Sequence, residues 1–493
     1  MATSGPTYDL VAIGGGTAGL VSAFGAAGLG ARVALIERDR LGGDCLNVGC
    51  VPSKALLRAA RAVREIHAAD PVGVRAPQPV VDFGAVMARL RERRALLAPN
   101  DSVERLTAAG VDVYFGEAAF AGPDEIVIRS AGSRGHKSTA APSPPHGWSH
   151  ASGEPLRRIR FRRAVVATGS RPATPSIAGL GGGGYHTNES IFDLTEQPRR
   201  LVIIGAGAIG CELAQAFALL GTEVVVADVA DRPLSREDPD ASAIVRRALE
   251  GEGVRFQLGA PVDLAALRRW DRREDAAAHL PQRVGAADPL VLVAAGRTPN
   301  TEGLNLEAAG VRWSTDGISV TDRLQTTNHR IFAAGDVASD YKFTHAADAT
   351  ARIAIRNALF FGRARASSLV IPWCTYTMPE VGRVGDLAAD AVTIALGDVD
   401  RAVLDGEVEG FVRVHHRRGR IVGCTIVAPH AGELVAYVAH VMRTGGRLAD
   451  FSNAVAPYPT YAEALRKAGD AWRRTLVTPR VKSLLERYFR LFR

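Results

Sequence analysis

Lysine is almost missing from this chain of 493 residues: five of its 60 basic residues are lysine, and the rest are arginine. With alanine abundant, that pattern reads as a coding bias toward GC-rich codons rather than selection for phosphate contacts. Cysteine is equally scarce at five, which excludes a disulfide-framed scaffold. No apolar run reaches the roughly 18 residues a membrane span needs, and no basic segment followed by an apolar stretch marks a signal peptide. Hydrophobic residues at 47% and charged residues at 23% exclude a disordered or fibrous chain. At about 150 residues per domain, the length implies two to four domains. The expectation is a soluble, cytoplasmic, multidomain protein.

The formal charge of +8 is local. Eight Arg/Lys against Glu154 between Arg129 and Arg163, and seven against Glu486 between Trp472 and Arg493, carry +13 and leave the body at −5. An acidic body argues against a nucleic-acid partner.

Glycine, by contrast, is plentiful at 51 residues, and much of it falls in ordered clusters. Tyr8–Ile13 is a short apolar run that enters Gly14-Gly-Gly16-Thr-Ala-Gly19, followed by a small-residue helix and a second strand ending at Glu37. The first two glycines of this fingerprint permit a tight turn and close backbone approach to a pyrophosphate. The third lets helix pack on strand, and Glu37 stands where it can accept from a ribose hydroxyl. The pattern recurs: Leu201–Ile204, then Gly205-Ala-Gly207-Ala-Ile-Gly210, a helix, and a strand ending at Asp228. Two such units imply two dinucleotides on one chain, an arrangement natural to an enzyme relaying electrons between cofactors. Asp228 can accept from a free 2′-hydroxyl but repels a 2′-phosphate, which favours NADH over NADPH, with Arg232 four residues on as a partial offset.

Gly42-Gly43-Asp-Cys45-Leu-Asn-Val-Gly-Cys50-Val-Pro-Ser-Lys54 follows the first unit. Positions five apart on a regular helix lie about 140° from each other, so Gly43 and Gly49 are needed for an irregular turn that brings the sulfurs together. Pro52 suits the first turn of a helix starting near Cys50, whose N-terminus favours a thiolate there. Cys211, Cys374 and Cys424 read as core residues, and no resident metal site is marked.

On these motifs the sequence resembles the flavin-dependent pyridine nucleotide–disulfide oxidoreductases, which include dihydrolipoamide dehydrogenase, glutathione reductase and mercuric reductase. The resemblance implies an α/β fold with two Rossmann-like nucleotide domains and a C-terminal α+β dimerisation domain. Its boundaries would be 1–198 and 318–366 for FAD (with an insert at about 130–156), 199–317 for NAD(P)H, 367–478 for the interface, and 479–493 as a basic tail. It implies FAD on the first fingerprint and a nicotinamide dinucleotide on the second. Further cofactor contacts would come from Gly43, Thr168, Gly169, Gly296, Gly335 and Asp336. Cys45 would be the sulfur that exchanges with substrate, Cys50 the one in charge-transfer contact with the flavin, and Lys54 would pair with Glu212 near N5.

Dithiol-directed members use a His, with a Glu five residues later, from the partner subunit. Here Tyr458 stands in the place of the His and Glu463 is kept. A phenol of pKa about 10 is a poorer shuttle at neutral pH than an imidazole. Tyr458 resembles mercuric reductase, as do Arg236–Pro239 and Asp398–Ala402. Two mercuric-reductase features are not expected: the tail Arg487–Arg493 has no cysteine pair, and the first strand at Tyr8 leaves no room for an N-terminal metal-binding domain. The expectation is a homodimeric NADH oxidoreductase passing electrons through FAD and Cys45–Cys50 to a metal ion or small electrophile. A dihydrolipoamide-dehydrogenase-like enzyme and a non-catalytic flavoprotein scaffold remain alternatives. The scaffold draws on the lost His, the basic tail, and residues 260–288, where β-structure is expected but Leu264–Trp270 read helical. Val481, Leu484, Leu485, Tyr488 and Phe492 recur at helical spacing among Lys482, Arg487, Arg490 and Arg493. Such a helix either packs on its own dimer or lies on an anionic membrane surface.

Overall fold

The computed structural model describes residues 6–129, 155–180, 184–269, 288–388 and 390–492. Residues 130–154 of the expected insert and 270–287 of the irregular stretch lie outside the described residues.

The first strand, Thr7–Ile13, is buried along nearly its whole length, as a central parallel strand covered on both faces must be. It lies between Val33–Glu37 and the long strand Pro155–Val166, with Val11 opposite Ala34 on one side and Ala164 on the other. The seven-stranded sheet runs 111–115, 33–37, 7–13, 155–166, 125–129, 117–122, and strand 331–333 also pairs with 155–166. Helix α1 (Thr17–Ala27) buries Ala18, Gly19, Ser22, Ala23 and Ala26, small residues that let its backbone approach sheet and neighbouring helix closely. After the second strand come the short helix α2 (Gly43–Val48) and, past Gly49, the longer α3 (Cys50–His67).

A second sheet repeats the arrangement with four parallel strands, ordered 255–258, 223–228, 200–204, 290–293. Its fingerprint opens helix α4 (Ala208–Leu219). The expected β-continuation after residue 260 is instead a short helix, Leu264–Arg269. Leu264 and Leu267 are buried beside Ile204 and Val293, so this helix closes one face of the sheet.

The third layer is a five-stranded antiparallel sheet, ordered 372–375, 380–385, 420–428, 411–417, 391–395. It shares a core with Ala431–Arg443 and with α5 (Glu463–Thr475), beyond which lies α6 (Pro479–Arg490). One continuous core joins Leu56 and Ala60 of α3, Leu213 and Phe217 of α4, Val381 of the third sheet and Met378 of the turn before it. That shared packing fixes α3 against the second nucleotide unit. Among the described residues no helix is long and apolar enough to cross a membrane.

Candidate active site

A continuous cleft of about 2580 Å³ runs between the two parallel sheets and the edge of the third. It is several times the roughly 300–1,000 Å³ of an ordinary small-molecule pocket, room enough for two dinucleotides end to end. Of the expected site residues, Gly14, Gly16, Glu37, Gly43, Cys45, Cys50, Lys54, Thr168, Gly169, Gly205, Gly207, Glu212, Asp228, Gly296, Gly335 and Asp336 all line it.

Gly19 and Gly210 stand behind the wall for a steric reason. A Cβ on Gly19 would sit 1.7 Å from the Gly14 carbonyl oxygen, and one on Gly210 would sit 1.9 Å from that of Gly205. The middle glycine of the second fingerprint, Gly207, has nothing within 4 Å of where its Cβ would be, so its backbone faces open cleft at a helix start. This is the cradle a pyrophosphate requires. The two acids act alike: Glu37 accepts from Gly15 N at 2.6 Å and Asp39 N at 2.8 Å, and Asp228 accepts from Ala206 N at 2.6 Å and Ala230 N at 2.9 Å. Each carboxylate braces its own fingerprint turn while staying at the cleft wall. Burial raises the pKa of Glu37, and its two backbone donors oppose that rise. Arg232, expected as a partial offset to Asp228, makes its hydrogen bonds within its own loop. Its guanidinium donates to the Glu237 and Ser235 carbonyls at 3.1 and 2.8 Å and closes its own loop.

Cys45 lies on α2 and Cys50 opens α3, with Gly49 as the break between the helices. Both are free thiols; Cys45 is half-buried and Cys50 opens into the cleft. A hydrogen bond between the sulfurs lowers the pKa of Cys50 and raises that of Cys45. Burial reinforces the rise at Cys45 and opposes the fall at Cys50, where Thr344 and the Lys54 charge favour the thiolate. Thr344 Oγ1 lies 3.5 Å from Cys50 Sγ. One turn along α3, Lys54 Nζ reaches Glu212 Oε2 at 2.7 Å, and the other Glu212 oxygen accepts from Tyr376 N at 2.9 Å. Lys54 Nζ also lies 4.6 Å from the centre of the Tyr376 ring.

Several residues of this cleft escaped the sequence reading. Arg297 donates to Ser170 Oγ at 2.6 Å, to Ser170 O at 2.8 Å and to Asp44, and lies 3.7 Å from Asp336. It thereby ties the residue before Cys45 to the Gly335–Asp336 turn. The signal in the sequence is the run Gly296-Arg-Thr-Pro-Asn300, which places Arg297 and Asn300 directly after the expected cofactor contact Gly296. Asn300 is equally involved: its Nδ2 donates to Thr168 O at 2.9 Å, and Thr168 Oγ1 donates back to Asn300 O at 2.7 Å. Cys374, expected in the core, is half-buried at the cleft wall, and burial raises its pKa. Its strand, Pro372–Thr375, lies at the edge of the third sheet, which is why an apolar-looking position is left accessible. Cys211 and Cys424 are buried.

Tyr458 and Glu463 stand apart from the protomer's own cleft. Tyr458 is 70% exposed and donates to Asp400 Oδ2 at 2.9 Å. Glu463 is buried, with Oε1 3.0 Å from Arg466 Nη2 and 3.5 Å from Lys467 Nζ. Lys467 is also 3.6 Å from Asp400, so the two expected residues communicate through a lysine rather than touching.

The profile of the pyridine nucleotide-disulphide oxidoreductases matches residues 8–351, and that of their dimerisation domain matches 371–469. The chain belongs to this family of enzymes. Mercuric reductase of Lysinibacillus sphaericus is 30% identical over 94% of this chain and 84% of the relative. Dihydrolipoyl dehydrogenase of Haloferax volcanii is 32% identical over 94% of this chain and 95% of the relative. Among solved structures, the Cu(II) complex of the HOCl-induced flavoprotein disulfide reductase RclA from Escherichia coli superposes with a TM-score of 0.77 at 25% identity, covering 94% of this chain and 99% of that one. The family implies FAD and a pyridine nucleotide, and the two fingerprint cradles fit such groups.

Proposed function

We propose that this chain is a homodimeric, NADH-dependent flavoprotein that reduces its Cys45–Cys50 disulfide and spends the dithiol on a metal ion or small electrophile. FAD on the Gly14–Gly19 cradle would supply two-electron exchange between nicotinamide and sulfur. The carrying observation is the placement of Cys50 within one cleft, at a helix start, one turn from the Lys54–Glu212 pair and between two dinucleotide cradles.

The protein's own residues do the rest. Asp228 holds its fingerprint turn and favours a free ribose hydroxyl. The Lys54 ammonium supplies fixed positive charge beside the sulfur pair. A hydride equivalent, two electrons and one proton, opens the bridge to one thiol and one thiolate; the start of α3, Thr344 and Lys54 keep Cys50 as the thiolate, while Cys45 takes the proton and faces the acceptor. When two electrons pass to the acceptor, the Cys45–Cys50 bond re-forms and the Cys45 proton leaves.

Tyr458 argues against efficient dithiol turnover. Its hydrogen bond to Asp400 raises the phenol pKa further, so it is deprotonated at neutral pH even less often than an ordinary tyrosine and serves poorly as a proton acceptor there. The dihydrolipoyl dehydrogenase reading rests on relatives such as that of Haloferax volcanii. An NADH-oxidation screen across Hg(II), Cu(II), lipoamide-type disulfides and quinones, with Cys45→Ser as control, tests the assignment. Metal-ion turnover that is lost in Cys45→Ser supports it. Turnover confined to disulfides selects the dithiol reading, and failure to reduce even a dye selects the scaffold.

A further inference from the structure

The helix α6 is built as a separate unit. Thr478 caps it by accepting from Val481 N at 3.3 Å, and Pro479 fills its first turn. At about 100° per residue, Val481, Leu484, Leu485, Tyr488 and Phe489 fall within an arc of about 140°. All five are between 39% and 68% exposed, and no residue of the helix is buried. Leu491 and Phe492, just beyond its last turn, extend the same face and are also exposed. The Tyr488 ring lies 5.6 Å from that of Phe489 and 4.8 Å from that of Phe492, an aromatic cluster facing outward.

Charge is sorted around that face. Arg480 and Lys482 lie on its two borders, about 100° to either side of Val481, with Arg487 next to Arg480 and Arg490 opposite. None of these four cations has an ion-pair partner among the described residues, and the sole acid of the stretch, Glu486, lies on the far side. Residues 472–493 carry +6 on a chain whose total is +8. The match to the family's dimerisation domain ends at residue 469, short of the helix, so the module that pairs subunits does not account for this face.

We propose that α6 is a surface anchor that lays its apolar face into an anionic lipid bilayer. Seven exposed apolar side chains would enter the acyl boundary, and the bordering Arg480, Lys482 and Arg487 would stretch to lipid phosphates. Anionic lipid is the occupant because the apolar face demands an apolar partner while its rim demands negative charge, and a bilayer of acidic lipids presents the two together over the length of the helix.

The full-length holoenzyme is tested by co-sedimentation with vesicles of phosphatidylcholine alone and with about one-third phosphatidylglycerol. Expected is binding to the anionic vesicles at least about tenfold above the neutral ones, lost on raising salt to about 0.5 M. Leu484→Glu with Phe489→Glu, and separately Arg480→Glu with Arg487→Glu, abolish sedimentation while NADH-dependent dye reduction is unchanged, which shows the variants remain folded. Equal failure to bind both vesicles overturns the proposal, as does binding that both double variants retain. A shift of those variants from dimer to monomer in the ultracentrifuge, with no lipid binding by the parent, assigns the face to a second copy and overturns it equally.

Discussion

Lys54 of α3 and Glu212 of α4 meet at 2.7 Å although 158 residues separate them in the chain, and each comes from a different nucleotide unit. Glu212 is 5% exposed, and its second oxygen is held by the Tyr376 amide. The pair therefore does two things at once. It locks the helix that carries Cys50 to the second fingerprint, and it fixes a positive charge beside the sulfurs.

Lys54→Met removes the charge and leaves a buried carboxylate unpaired. Because the lysine is itself 36% exposed, the loss of stability is discounted to about 1–3 kcal/mol rather than the larger cost of breaking a fully buried pair. The rate of disulfide reduction by NADH falls by about 10- to 100-fold, since the charge favours thiolate formation. Thermal unfolding and rapid-mixing absorbance check the two effects separately. Glu212→Gln, which keeps an acceptor for Tyr376 N, costs less stability than Lys54→Met.

Cys50 titrates below an ordinary cysteine and Cys45 above it. In the two-electron-reduced protein the Cys50 thiolate persists at neutral pH and is lost on acidification. The sign follows from linkage: a depressed folded pKa stabilises fully above the unfolded value near 8.5 and loses that contribution as pH falls through the folded value. Cys45, raised by its neighbour and by burial, works the other way and destabilises the reduced fold above about pH 8.5. The contribution of this pair to the stability of the reduced fold therefore peaks near that pH, as the difference in unfolding midpoint between the parent and Cys50→Ser across a pH series will show. Thr344→Val removes a donor to the thiolate and moves its titration upward by about half a unit to one unit.

Arg297 holds Asp44 and Ser170 and lies beside Asp336, with its side chain only 16% exposed. Arg297→Ala leaves two acidic side chains without their cation next to the FAD cradle. FAD affinity is expected to drop by about 10- to 100-fold, and Arg297→Lys to recover little of it, because one ammonium cannot reproduce the guanidinium fork. Flavin release on dilution, followed by fluorescence, measures both.

Arg232 donates to its own loop carbonyls rather than to Asp228, and Asp228 lines the cleft. NADH is expected to exceed NADPH in kcat/KM by about tenfold or more, and Asp228→Asn to narrow the ratio while weakening NADH itself. Steady-state dye reduction with each nucleotide decides it.

The parts of this site that show in the sequence are those whose geometry is local. The fingerprints, the Gly-framed cysteines and the acid at each strand end are consecutive or nearly so, and turn chemistry alone relates them. Lys54 and Glu212 were paired through family resemblance, not through anything in their spacing. Arg297, Thr344 and Tyr376 act across hundreds of residues, and a lone arginine or threonine carries no periodic signal. Cys374 was misread because an edge strand and a central strand have the same apolar pattern when read singly. The helix at Leu264–Arg269 was visible as a helix, yet its burial against the second sheet was not, since that depends on the sheet existing first.

In the proposed reaction electrons from NADH reach the Cys45–Cys50 bridge, and anaerobic titration of the oxidised holoenzyme with NADH tests this most directly. One equivalent should produce a long-wavelength absorbance band from the Cys50 thiolate beside the flavin and two alkylatable thiols, with the band missing in Cys50→Ser. Bleaching of the flavin with no such band and no new thiols would contradict it.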